Sequence, residues 1–144
     1  KKNSKTMRAS IAVLLLAFCW SCTTKPEPIV FGKDQCAFCK MTIANPNYGG
    51  EIVTQKGRIY KFDAAECMID YLNQNEVVVS DQLVIAFDDP KKLHPVDSVF
   101  FVIDQNYNSP MGANLAAFHN RESIKVENPH SMQWSEIKNK RITN

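Results

Sequence analysis

The chain has 144 residues, of which 44% are hydrophobic, and this length suffices for one compact domain or two small halves packed together. Its formal net charge of +2 comes from the N-terminus, because four of the 17 basic residues and none of the 15 acidic residues precede Cys22. From Cys22 onwards the chain has 13 basic and 15 acidic residues, and this balance gives no indication of a nucleic-acid partner.

The first residues have the pattern of an export signal. Four basic residues come before an apolar run at 11–18, which is too short to span a bilayer. Two cysteines follow this run, and either one resembles a bacterial lipoprotein processing site. Cys22 fits this site better than Cys19, because Ser21 is small whereas Phe18 is large. We therefore predict that Cys22 carries the lipid.

This processing predicts three segments. They are a signal peptide at 1–21, a lipidated N-terminus with a proline-bearing tether at 22–32, and a folded domain at 33–144. One lipid would hold the protein to a membrane of the bacterial cell envelope, for which we favour the outer membrane, with the domain facing the periplasm. The alternative is a secreted protein with Cys22 in a disulfide.

Residues 36–41, CAFCKM, bring two thiols and one thioether together. Cys36 and Cys39 can close a turn around one small metal ion, and Met41 shares a face with Cys39 in an extended segment. Thiolate and thioether together favour Cu(I), because zinc has little use for a neutral sulfur donor and calcium and magnesium prefer oxygen. The motif therefore predicts a Cu(I) site.

Other interpretations of the motif stay open. A structural zinc site needs two further ligands at close spacing, and His94, His119 and His130 stand too far apart. A thioredoxin-type pair should open a long helix, which Pro46 would cut short. A plain disulfide with Met41 in the core needs no metal, although three cysteines beyond the lipidation site are an odd number. The main alternative function is a lipid-anchored thiol-disulfide oxidoreductase.

A β-β-α-β unit is predicted after the motif. Residues 48–55 and 58–63 are β-type runs on either side of a Lys-Gly pair, which is typical of a hairpin. A helix is then expected to begin at Asp63, where Glu66 would complete a capping box. A strand at 83–87 completes the unit.

The predicted helix has one apolar face. Its i, i+3, i+4, i+7 positions are Ala65, Met68, Ile69 and Leu72. We interpret Cys67 and Met68 as core residues rather than metal ligands, because an unpaired cysteine is among the most buried residue types.

The second half repeats this order loosely. Residues 88–92 predict a solvated polar connection, and the apolar run 98–103 predicts a strand that is buried on both faces. The further predicted elements are a strand at 115–118, a helix near 120–127, a strand near 131–134 and a terminal helix near 135–140. The fold class is therefore α+β, with two loosely repeated β-β-α-β units at about 33–89 and 95–144 packed into one compact domain.

Two residues of the second half are candidate ligands. Met111 lies between proline and glycine in a predicted loop, so it could lend a thioether to the copper site or equally fill a gap between the halves. His119 follows a strand end, but we leave it outside the ligand set because lone histidines are more often structural or solvated. From the residues alone the predicted metal ligands are Cys36, Cys39 and Met41, and the role of Met111 stays open.

The lipoprotein signal, the CxxCxM motif, YKFDAAEC at 60–67 and SPMG at 109–112 together resemble the NosL family of copper-binding lipoproteins. The likeness covers nearly all of the chain beyond the signal. It implies an exported Cu(I) chaperone, not an enzyme, that supports assembly of the copper-sulfide site of nitrous oxide reductase during denitrification. It further implies a dedicated ABC transporter as partner and a duplicated β-β-α-β fold.

The resemblance also implies which residues bind copper. Cys39 and Met41 are the strongest candidates, followed by Cys36 and Met111. This chain has Lys40 and Ser109 at two positions where the family often has glycine. The sulfur donors are intact, so the departures concern the local backbone and the surface that a partner would recognise.

Overall fold

The computed structural model describes residues 24–127 and 130–142. The predicted signal peptide and the lipidation site at Cys22 lie outside the described residues. Within the described part of the chain, no helix has both the length and the apolar character needed to cross a bilayer.

Two antiparallel sheets and two helices form the domain. The first sheet contains β1 (Gly50–Thr54), β2 (Ile59–Phe62), β3 (Val79–Ala86) and β4 (Asp89–Pro95), in the order β2-β1-β3-β4. Helix α1 (Ala65–Gln74) connects β2 to β3. The second sheet pairs β5 (Phe100–Ile103) with β6 (Leu115–Phe118), and α2 (Trp134–Ile142) ends the described chain.

The first unit has the predicted β-β-α-β order, and the β1–β2 hairpin turns where it was expected. Gly57 has a φ of 76°, a left-handed conformation that suits glycine in such a turn. The predicted capping box is wrong. Helix α1 begins two residues after Asp63, and its N-cap is Ala64 without a side-chain hydrogen bond. The Asp63 carboxylate is buried and accepts a bond from the Ala44 amide instead of capping the helix.

The polar run at 88–92 is not the solvated connection that we expected. Phe87 and Asp88 form a tight turn, and the chain continues directly into β4, which pairs with β3. Strand β4 is an edge strand with one neighbour, so it tolerates lysine and proline residues that a central strand would not.

The helix predicted near 120–127 is also wrong. Only a single 3₁₀ turn forms there, at Arg121–Ser123. The apolar residues that follow, Ile124 and Val126, alternate along the chain and provide no helical stripe. The strand expected near 131–134 is reduced to one bridge between Met132 and Phe101, whereas the terminal helix is confirmed as α2.

The two units share one arrangement of strands, and the α+β class is confirmed. In the first unit β1 lies between β2 and β3, and in the second β5 lies between β6 and the bridge at Met132. In each unit the first strand is therefore central, with its hairpin partner on one side and the last segment on the other.

One hydrophobic core joins the units. Ile52 and Phe62 from the first unit pack in the same buried cluster as Phe101, Leu115 and Ile137 from the second. A smaller cluster covers the opposite face of β5 and β6. Phe101 and Val102 are therefore buried on opposite faces of β5, as predicted, whereas Ile103 at its end is exposed. Helix α1 packs against β1, β2, β6 and α2, so it lies at the junction of the units.

Candidate metal centre

The CxxC motif lies in a short loop that is closed at its base. Gln35 and Thr42 form an isolated antiparallel bridge. Inside this bridge the Cys36 amide donates to the Met41 carbonyl at 2.8 Å, and the Lys40 amide donates to the Cys36 carbonyl at 3.1 Å. The two cysteines therefore lie in a closed turn and not at the start of a helix, unlike the pair expected of a thioredoxin-type protein.

Strand β2 holds this loop in place. The Ala37 amide donates to the backbone carbonyl of Lys61 at 2.7 Å. The Lys61 ammonium lies 2.8 Å from Asp34 Oδ2 and donates to the Pro28 carbonyl at 3.0 Å. Burial raises the pKa of Asp34, but the bonds from Lys61 and from the Val30 amide outweigh it and leave this pKa below its ordinary value. The N-terminal side of the loop is thus tied to Lys61 at two points, the Asp34 carboxylate and the Ala37 amide.

Helix α1 brings a third thiol to the loop. The Sγ atoms of Cys36, Cys39 and Cys67 all lie within 4.8 Å of one another. Cys36 and Cys67 are fully buried, Cys39 is half-buried, and all three are free. Among the residues that the structure describes, these three form the only group of at least three Cys, His, Asp or Glu side chains that could hold a metal ion. Three sulfur donors at this spacing suit a soft monovalent ion.

The three thiols differ in acidity. The hydrogen bond from Cys67 lowers the pKa of Cys36 to about 5; burial opposes this shift, and the backbone amides of Asp63, Cys39 and Phe38 assist it. The same hydrogen bond, together with burial, raises the pKa of Cys67. Burial also raises the pKa of Cys39. Cys36 is therefore the cysteine of the metal-free cluster on which a thiolate is most favoured, and Cys39 and Cys67 are the weaker acids beside it.

A family model of NosL matches residues 29–126. The chain belongs to the NosL family. The crystal structure of the copper chaperone NosL from Shewanella denitrificans has a similar fold, with a TM-score of 0.64 over 79% of this chain and 96% of that chain. The two sequences are 17% identical, so this likeness concerns the fold. The comparison with curated proteins gives no match.

The resemblance to the NosL family predicts glycine where this chain has Lys40, and the backbone explains why. Lys40 has a φ of 65°, in the left-handed region that glycine adopts without strain. Its ammonium folds back over the loop and donates to the Ala37 carbonyl at 2.6 Å. The loop therefore keeps a glycine-like shape despite the lysine, with strain on the order of 1 kcal/mol.

The two methionines predicted as NosL-type ligands lie at the surface. The exposed fraction is 45% for Met41 and 43% for Met111. Met41 closes the cysteine loop through its backbone, and Met111 lies in the connection between β5 and β6. This exposure contradicts the two alternatives in which Met41 packs in the core and Met111 fills a gap between the halves. As metal ligands both stay predictions.

His119 packs against a second histidine. Its ring stacks on that of His94, with 4.5 Å between the ring centroids, and His94 Nε2 is 3.0 Å from Asp89 Oδ2. The two ring planes are inclined at 27°, and in-plane lone pairs of rings stacked in this way do not converge on one ion. This arrangement is consistent with leaving His119 outside the ligand set.

Cys67 is the residue of the cluster that sequence reasoning placed elsewhere. It is buried in the core, as predicted, but its sulfur also reaches the loop cysteines. The available signal was the odd count of cysteines, because the pair Cys36 and Cys39 leaves one thiol of the folded domain without a role.

Proposed function

We propose that the protein is a Cu(I) chaperone that binds one copper ion at the cysteine loop and passes it to a recipient by ligand exchange, without chemical turnover. The observation that carries this proposal is the set of three free cysteine sulfurs within 4.8 Å of one another. Membership of the NosL family supports it, as does the fold shared with a copper chaperone.

The donor set favours Cu(I) over other common metals. Calcium and magnesium require oxygen ligands, and structural zinc sites have four ligands, whereas three cysteines make up this group. Cu(I) accepts two or three sulfur ligands, so the site suits it without further donors. The predicted thioethers of Met41 and Met111 would add neutral sulfur donors at the surface, which bind copper without losing a proton.

The sulfur side chains of the site differ in their exposure, and this suits the transfer of copper rather than its storage. Cys36 and Cys67 are fully buried, Cys39 is half-buried, and Met41 is exposed. A sulfur ligand of a recipient can therefore approach copper from the side of Cys39 and Met41 while the buried Cys36 still holds it. An ion enclosed on every side would lack such a route.

The location of the protein and the recipient of its copper are proposed from the sequence pattern and from the family. We propose a lipid anchor at Cys22 that holds the domain on the periplasmic side of the bacterial cell envelope. The proposed recipient is nitrous oxide reductase, whose copper-sulfide site would be assembled with help from a dedicated ABC transporter. Copper delivery of this kind is part of denitrification.

The test uses a denitrifying host that lacks its own NosL-family protein. Expression of the wild-type chain should restore the copper content of purified nitrous oxide reductase, and the Cys36→Ser/Cys39→Ser double variant should not. A Cys22→Ala variant that is expressed at the same level isolates the contribution of the anchor. Equal copper content with wild type and double variant would contradict the proposal.

A thiol-disulfide oxidoreductase is the second candidate. The low pKa of Cys36 next to two further thiols is the observation that favours it. The position of the cysteines in a closed turn rather than at a helix N-terminus speaks against it. Metal-free protein that reduces a disulfide substrate catalytically, with loss of this activity in Cys36→Ser, would support the oxidoreductase instead.

A further inference from the structure

The geometry points to Cys67 as a metal ligand, and we propose that Cu(I) occupies a buried position between the sulfurs of Cys36, Cys39 and Cys67. This inference rests on the proposed function, because it requires that the protein binds Cu(I). It replaces the two-cysteine site of the sequence motif with a three-cysteine site whose third member comes from helix α1.

The spacing of the sulfurs fits one shared ion. A metal–sulfur bond of about 2.3 Å, as in zinc–cysteine sites, places three sulfurs around a central metal roughly 4 Å apart. The three Sγ atoms lie within 4.8 Å of one another, so small changes in side-chain torsions would complete the coordination.

Cys67 differs from an ordinary core cysteine. It lies in the first turn of α1 with no exposed surface, and a cysteine that only fills space there would have apolar neighbours alone. Instead its thiol is hydrogen-bonded to Cys36. When copper binds, the remaining thiol protons of Cys39 and Cys67 leave to water, and the metal–sulfur bonds replace this hydrogen bond.

The surroundings can accommodate the negative charge of a cuprous thiolate group. The backbone amides of Phe38, Cys39 and Asp63 bond to the Cys36 sulfur. Asp63 lies two residues before the start of α1, whose N-terminus favours a nearby anion. The buried Asp63 carboxyl opposes this effect, because burial and the charge of Cys36 raise its own pKa. The loop and the helix therefore both supply fixed dipoles to the same group of sulfurs.

Binding through Cys67 would join two elements that the sequence motif keeps apart. The loop is tied to β2 through Ala37 and Lys61, whereas Cys67 belongs to the helix that packs between the units. Copper held by all three cysteines therefore links the loop to the core, and removal of Cys67 would leave the ion on the loop alone.

The test counts the sulfur ligands of bound copper by X-ray absorption. The full chain is used in a Cys19→Ser/Cys22→Ser background, so that the three cysteines of the cluster are the only ones left. With one equivalent of Cu(I) we expect Cys67→Ala to have one sulfur ligand fewer than the unsubstituted chain, together with a weaker affinity in chelator competition. Met68→Leu, at the next residue of α1 and equally buried, is the matched control and should leave the number of sulfur ligands unchanged.

The possible outcomes separate the inference from the function. An unchanged number of sulfur ligands in Cys67→Ala would overturn the role of Cys67. If Cys67→Ala does not fold, Cys67→Ser keeps the size of the side chain and exchanges its sulfur for oxygen, and it should likewise have one sulfur ligand fewer. A chain that takes up no Cu(I) at all would contradict the proposed function itself.

Discussion

Like Lys91, Lys40 has a left-handed backbone that disagrees with its side chain. Its φ of 65° favours glycine, and relief of the strain should exceed the greater chain entropy that glycine gives the unfolded state. We expect Lys40→Gly to raise the free energy of unfolding by about 0.5 kcal/mol in urea titrations. Lys33→Gly, at an exposed lysine with an ordinary φ, is the control and should lower it. Equal losses in both variants would show that the loop is not strained at Lys40.

Glu51 offers a second test at the residue scale. Its side chain is fully buried on β1; Oε1 accepts the Glu27 amide at 3.0 Å, and Oε2 has no hydrogen-bond partner. Burial raises the pKa of this carboxyl. The native state therefore binds the proton more tightly than the unfolded chain, and the stabilising contribution is lost as the pH rises through the native pKa.

Replacement of the Glu51 carboxylate should therefore stabilise the folded domain at neutral pH. We expect Glu51→Gln to raise the free energy of unfolding by about 1 kcal/mol at pH 7 and by less as the pH falls towards 4. Urea titrations of both proteins across this range measure the difference. Glu27→Gln, in a largely exposed carboxylate, should show no such gain. A difference between Glu51→Gln and wild type that is independent of pH would contradict the explanation.

Asp88 connects elements of the two units. It follows β3, and its carboxylate accepts the backbone amides of His119 and Asn120, which follow β6, both at 2.8 Å. Burial raises the pKa of Asp88, but these amide bonds outweigh it and hold the pKa below its ordinary value. Its stabilising contribution is therefore present above the pKa of the unfolded chain and is lost as the pH falls through the lower native pKa.

Removal of this connection should loosen the junction between β3 and β6. We expect Asp88→Ala to lower the free energy of unfolding by about 2 kcal/mol at pH 7, with a smaller loss in acid. Denaturant titrations at both pH values check this, and Asp97→Ala at an exposed aspartate is the control. Equal effects of the two substitutions would show that the amide bonds of Asp88 contribute little.

Elements with strong local patterns could be predicted from the sequence, and elements that depend on their neighbours could not. The strand at 115–118 and the β1–β2 hairpin have clear local signals, and the structure has both. Strand β4 is polar along most of its length, so only its pairing with β3 reveals it. The predicted capping box did not form because the Asp63 carboxylate is buried and accepts the Ala44 amide instead of an amide of the helix.

At the scale of the whole molecule, one part of the candidate metal centre could be predicted from the sequence, and the other part follows only from the fold. The loop cysteines are adjacent in sequence, so the motif alone brings Cys36 and Cys39 together. Cys67 joins them only because α1 packs at the junction of both units, and no local pattern contains that information. The fold thus adds the third sulfur and buries two of the three, while the sequence pattern identifies the chemistry.

Copper should also stabilise the whole domain. An ion that binds the folded cluster and not the unfolded chain raises the free energy of unfolding by mass action, about 2.7 kcal/mol when free metal is at 100 times its dissociation constant. We expect the thermal unfolding midpoint of the reduced protein to rise with Cu(I), and Cys67→Ala to show a smaller rise. An unchanged midpoint in the wild-type protein would show that no such linkage exists.

The most direct test of the account is a titration of the reduced protein with Cu(I) in competition with a chromogenic chelator. A Cys19→Ser/Cys22→Ser background confines the thiols to the cluster. We predict that the protein withdraws one equivalent of Cu(I) from the chelator, and that Cys36→Ser/Cys39→Ser withdraws none. Failure of the protein to compete for copper, or equal competition by the double variant, would contradict the claim that this cluster binds the metal.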